Sequence, residues 1–171
     1  MLSACAILPR RPLPRLPLLP PQALGVQRQA TQVLHAAYGA HEMTLQCALD
    51  ARTSKDTLVA LGPFGQRLFT LHYDAKGVRV KSSPYVPARL PARRIWADVE
   101  LALWPASAWQ RRLAGTDWHL TEPLPGVRRL RYGDRLVTEV HYDADSDGWN
   151  GRFWLVDWPY DYSLEISSTA G

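Results

Sequence analysis

Three aspartates at alternate positions, Asp143, Asp145 and Asp147, run directly into Gly148. This spacing can gather carboxylates on one cation while the glycine makes a sharp turn, as in a calcium loop. The twelfth position of such a loop should be a bidentate glutamate, and here it is Trp154. A polar turn between two strands accounts for the same residues. The five histidines, His35, His41, His72, His119 and His141, stand apart from one another. His72 and His141 each open a His-Tyr-Asp triplet. If the two triplets lay on neighbouring strands, two imidazoles and two carboxylates would meet in a metal or acid–base site. Cys47 falls within Met43-Thr44-Leu45-Gln46-Cys47-Ala48-Leu49, where alternation places it on the apolar face. There a thiol acts as a small hydrophobe rather than a nucleophile. The sequence has no serine elbow, dinucleotide loop, phosphate loop or zinc-binding histidine pair. It therefore points to no catalytic residue, no resident metal and no cofactor.

A second kind of chemistry is apolar. Trp96, Trp104, Trp109, Trp149, Trp154 and Trp158 cluster in the second half of the chain, around a predicted helix and the closing strands. Two readings stay open. The aromatic side chains fill an ordinary core, or they line one left partly open so that an apolar ligand completes it.

The elements that would position these residues are mostly strands. Period-two alternation begins near residue 26 and continues through 43–50, 57–61, 67–73 and 78–80. Asp74-Ala75-Lys76-Gly77 supplies a hairpin turn between the last two. After Pro91 the period changes. Ile95, Val99, Ala102 and Leu103 trace one face of a helix over 92–104 that Pro105 ends, and 107–113 reads as a second, shorter helix. Strands resume at 118–121, 127–132, 135–142, 152–156 and 162–166. RLFTLHYD (67–74) and RLVTEVHYD (135–143) match apart from one inserted residue. About five strands, a helical excursion and about five more strands indicate a sandwich or barrel rather than a parallel sheet.

The chain has 171 residues and a formal charge of +4. No run of basic residues marks a nucleic-acid stripe, and no apolar stretch is long enough for a membrane-spanning helix. Residues 1–5, Met-Leu-Ser-Ala-Cys, have the form of a lipobox, with Cys5 as the lipidated residue of a mature lipoprotein. This reading supposes a longer signal peptide than the sequence carries. Ala6, not an aspartate, follows the cysteine, which in lipoproteins favours the outer membrane. Six of the fourteen prolines lie in the first 21 residues, so 6–21 is expected to be an extended tether. The folded domain is expected over 22–171.

The lipobox, the segments LVALGPFGQRLFTLHYDAKG (58–77) and LPARRIWADVELALWP (90–105), and the closing WNGRFWLVDWPYDYSLEI (149–166) resemble an uncharacterised family of bacterial outer-membrane lipoproteins. Its members are associated with aryl-polyene and xanthomonadin gene clusters and are distantly similar to the LolA/LolB lipoprotein carriers. The resemblance implies a mostly β fold with a helical lid, an unclosed antiparallel barrel of about eleven strands around an apolar cavity. Ile95, Val99 and Leu103 would face inward from the lid, and Phe69, Leu71, Val137, Phe153 and Leu155 would line the sheet side. Arg93 and Arg94 would sit at the rim, where an anionic headgroup could be attracted. The implied function is to bind and hand over an acyl or polyene lipid, or a lipoprotein, in the periplasm without covalent chemistry. The protein would be a monomer, held at the periplasmic face of the outer membrane by its lipid anchor. The competing expectation is a non-catalytic envelope scaffold with a filled core.

Overall fold

A computed structural model describes residues 12–84, 86 and 91–171. Cys5 and the lipobox lie outside the described residues. Ten strands form one antiparallel sheet. β1 (Arg28–Tyr38), β2 (His41–Ala51), β3 (Lys55–Leu61), β4 (Arg67–Asp74) and β5 (Gly77–Ser82) meander towards one edge. Two helices follow, α1 (Ala92–Leu103) and α2 (Ala106–Leu113). The chain then reaches the opposite edge and meanders back through β6 (Trp118–Leu124), β7 (Val127–Tyr132), β8 (Arg135–Tyr142), β9 (Gly151–Asp157) and β10 (Tyr162–Ala170). β10 pairs with β1, giving the order β5-β4-β3-β2-β1-β10-β9-β8-β7-β6. β5 and β6 remain unpaired with one another, so the sheet is not closed. The expected unclosed antiparallel sheet with a helical cover is what the chain forms, with ten strands among the described residues rather than eleven. No helix among those residues is long and apolar enough to cross a membrane.

Alternation decides which residues enter the concave side. Leu58 and Ala60 on β3, Phe69, Leu71 and Tyr73 on β4, and Phe153 and Leu155 on β9 are all buried. The residues between them, Val59, Thr70, His72 and Trp154, are only partly buried and face outward, as the period-two pattern requires. The near-repeat between β4 and β8 obeys the same rule with one adjustment. The residue inserted in β8 would reverse its parity. The register instead shifts between Leu130 and Arg131 on the partner strand, and Val137 and Thr138 both turn inward at 0% exposure. Tyr73 and Tyr142 therefore occupy matching places, and each donates its hydroxyl across the concave side. Tyr73 reaches the carbonyl of Leu19 and Tyr142 that of Ala102, both at 2.6 Å.

The two helices lie against this side, and α1 is tied at both ends. At its C-terminus, where carbonyls lack helical partners, Arg128 of β7 donates to the carbonyls of Leu101 (2.6 Å) and Trp104 (2.8 Å). Tyr142 serves Ala102, and the Trp149 indole serves Leu103 at 3.1 Å. A guanidinium here also complements the negative end of the helix dipole.

The N-terminal segment corrects the expected domain boundary. Residues 12–20 do not stand clear of the domain as a free tether. Leu16, Leu18 and Leu19 are buried in the common core, and Leu13 packs against it. The cause is the three-residue period of a polyproline-type helix, whose backbone angles Pro20 shows (φ −69°, ψ 151°). That period aligns Leu13, Leu16 and Leu19 on one face, which docks like an amphipathic element. We call residues 12–20 the strap.

Candidate apolar-ligand site

The residues expected to line a cavity come together, but they are packed. Phe69, Leu71, Leu103, Val137, Phe153 and Leu155 all belong to one buried cluster, and Leu71 and Val137 are fully buried. Ile95 and Val99 are only partly buried and pack against that cluster. The inward face of α1 is instead led by Trp96, Glu100, Leu101 and Leu103. The buried face of α1 is thus turned from the expected one and includes the acidic Glu100.

Glu100 is 1% exposed. Its Oε1 accepts the Trp96 indole N–H at 2.8 Å and its Oε2 accepts the backbone N–H of Leu19 at 3.1 Å. Burial raises its pKa to about 8, against these two hydrogen bonds, which lower it. Asp56 on β3 is also fully buried, and its pKa rises to about 7 for the same first reason. Its Oδ1 accepts the N–H of Arg52 at 3.0 Å, while Oδ2 has no hydrogen-bond partner.

Around Glu100 the strap is held by side chains. Arg93 donates to the carbonyl of Leu16 at 2.8 Å and Arg112 to that of Leu18 at 2.9 Å, while Tyr73 serves Leu19. The strap runs alongside α1. Leu16 to Leu19 spans about 9 Å at polyproline rise, and Arg93 to Glu100 spans about 10 Å at helical rise. An aromatic row crosses behind it. Tyr73 and Trp96 lie 5.6 Å apart, Trp96 and Trp104 5.6 Å, and Trp104 and Trp149 6.0 Å between ring centroids. The Trp104 indole N–H is buried without a partner.

The arginines expected at the rim divide. Arg93 holds the strap. Arg94 turns into the sheet, pairing with Asp98 at 3.3 Å and in closer contact with Asp157. It also donates to Thr138 Oγ1 at 2.8 Å and to the Tyr162 hydroxyl at 3.2 Å. Tyr162 donates to Asp98. Burial lifts Asp98 to about 6, and the Arg94 charge opposes that rise. This cluster pins the first turn of α1 to β8, β9 and β10, so Arg94 is not free to attract a headgroup.

The remaining candidates do not assemble. β4 and β8 are separated by five strands in the sheet order, so the two His-Tyr-Asp triplets never meet. His72 bonds Thr57 at 3.1 Å and His141 bonds Glu139 at 2.5 Å. Asp143 pairs with Arg152 at 3.2 Å, and Asp147 accepts the Asn150 N–H at 2.7 Å. Asp143, Asp145 and Asp147 thus form a structured turn, and no metal-binding group of three such side chains occurs among the described residues. Cys47 is a buried free thiol with its pKa pushed up to about 12. A cleft of about 500 Å³ opens elsewhere, between the β6–β7 turn and the β8–β9 loop, lined by residues including Leu124, Arg128 and Asp147.

The fold and its apolar interior define an unclosed antiparallel half-barrel wrapped around helices. Residues 29–170 match the family described as "Protein of unknown function (DUF3261)", and the chain belongs to that family. No curated protein matches it in sequence. Among solved structures it is similar to the LolA superfamily protein NE2245 from Nitrosomonas europaea, at 11% identity over 90% of this chain and 92% of that one, with a TM-score of 0.45. It is also similar to a DUF1329 family protein from Desulfovibrio piger ATCC 29098, at 11% identity over 84% and 83%, with a TM-score of 0.39.

Proposed function

We propose that this protein is a periplasm-facing lipoprotein, anchored to the outer membrane through Cys5, that binds an apolar acyl or polyene chain against its concave side and hands it on without covalent chemistry. One observation carries the reading. The concave face is covered by two helices and by an extended leucine-rich strap that is held through side-chain hydrogen bonds to its backbone. A cover of this kind can be exchanged for another linear apolar chain more readily than a second sheet could. Burial of the ligand supplies the driving force, roughly 25 cal/mol per Å² of apolar surface before ordering costs. The thiol of Cys47 is buried with a raised pKa, and the His-Tyr-Asp triplets lie apart, which favours a binding role over catalysis.

The close packing of Trp96, Trp104, Trp109 and Trp149, each at 2% exposure or less, favours a second reading: an envelope scaffold with a filled core. Native mass spectrometry of protein drawn gently from its own membranes tests the two. An adduct with the mass of an acylated or polyenyl compound is the expected result. A bare protein that copurifies with a stoichiometric protein partner and rejects fatty acids would establish the scaffold.

A further inference from the structure

We infer that the groove now filled by the strap is the ligand site itself, and that residues 12–20 are its resident competitor, expelled when the ligand enters. This rests on the carrier reading above and adds where the chain binds and what must leave.

α1 cannot lift as a lid without breaking the Arg94 cluster at one end and the Arg128, Tyr142 and Trp149 bonds at the other. The strap, over its described residues 12–20, is held differently. It carries no strand pairing, and its bonds run from its backbone to the side chains of Arg93, Arg112, Tyr73 and Glu100. Its prolines keep it extended outside the groove as well as inside, so release costs little internal order.

The groove then has a definite chemistry. It is one chain wide, because one extended chain fills it, and its walls include the packed rings of Tyr73 and Trp96. Three donors, Arg93, Arg112 and Tyr73, now point at carbonyl oxygens of the strap. Of these only Tyr73 is buried, and a buried hydroxyl left without a partner is costly, so a replacement must bring an oxygen to it, within reach of the exposed guanidiniums of Arg93 and Arg112. The ligand class is therefore a long acyl or polyenyl chain that ends in a carboxylate or ester. A second observation marks the place as unfinished. Asp56 Oδ2 is buried and unpartnered in the sheet wall, at the position paired in register with Tyr73.

The test uses the 171-residue chain and cis-parinaric acid, a conjugated tetraene fatty acid that fluoresces in apolar sites. Hydrogen exchange at Leu16, Leu18 and Leu19 is followed with and without saturating probe. Exchange there should rise on binding while α1 stays protected. A strap-weakened variant, Leu16→Ser with Leu18→Ser, should bind the probe about tenfold more tightly, because the competent state is more populated. Probe binding that leaves strap exchange unchanged or slower would overturn the inference and spare the carrier reading. No binding to either protein would remove both. If the double variant does not fold, the exchange experiment on the unmodified chain decides alone.

Discussion

The side-chain carboxyl of Glu100 accepts the backbone N–H of Leu19 at 3.1 Å across 81 positions of sequence. This one bond joins the middle of α1 to the strap and places an ionisable group in the centre of an apolar interior. The pH dependence of the fold follows from it.

Glu100, Asp56 and Asp98 have folded-state pKa values of about 8, 7 and 6, against ordinary values of 4.5 for glutamate and 3.8 for aspartate. Each group binds its proton more tightly in the folded chain, so protonation favours the fold. Their contribution is complete below about pH 4 and is lost as pH rises through 6 to 8. The melting temperature should therefore fall by several degrees between pH 5 and pH 8.5. Glu100→Gln should flatten the upper part of that slope. A melting temperature that rises across this range would show that these carboxyls are ionised in the folded protein.

Removing Arg94 leaves two buried carboxylates, Asp98 and Asp157, without their cation. Arg94→Ala should lower stability by about 3–5 kcal/mol, the usual cost of breaking a buried pair from one side. Denaturant unfolding measures it. Adding Asp98→Asn should recover part of the loss, since one uncompensated charge is then gone.

Gly148 closes the Asp143–Asp147 turn with φ +84°, and a Cβ there would meet the carbonyl of Ala102 at 3.1 Å and Leu103 Cδ2 at 3.2 Å. Gly148→Ala should cost about 2 kcal/mol, from the left-handed backbone and the contact together. Gly133→Ala, with φ +55° and open space around it, should cost about 1 kcal/mol from backbone alone. Equal losses at the two sites would show that the contact with the end of α1 contributes nothing.

The thiol of Cys47 is 4% exposed and strongly disfavoured as a thiolate. Maleimide labelling of the native protein, read by peptide mass, should leave Cys47 unmodified until denaturant is added. Labelling under native conditions would mean that the sheet opens around β2.

Most of the architecture was legible because it rests on short periods. Alternation in Met43–Leu49 and Arg67–Tyr73 marks β2 and β4, and proline at 91 and 105 brackets α1. What sequence reasoning missed has two physical causes. Glu100 and Asp98 are carboxylates, and a hydrophobic stripe drawn on α1 assigns them to solvent. Their burial depends on Leu19, Trp96 and Arg94, partners that no local pattern reveals. The strap was read from its prolines as a tether, yet leucine at every third position, 13, 16 and 19, was a visible sign of an apolar face at polyproline period. The two His-Tyr-Asp triplets misled in the opposite direction. Identical local sequence does not bring two strands together, and here it marks matching corners, with Tyr73 and Tyr142 each reaching a backbone carbonyl.

The most direct test of the carrier account is a fluorescence titration of the 171-residue chain with cis-parinaric acid, repeated for the folded variant Leu71→Asp. Leu71 lies at 0% exposure on the concave face, and temperature is lowered until circular dichroism confirms the native sheet. The account predicts saturable binding near one molecule per chain, lost in the variant. Absence of saturable binding by the unmodified chain would contradict it and leave the half-barrel as a scaffold.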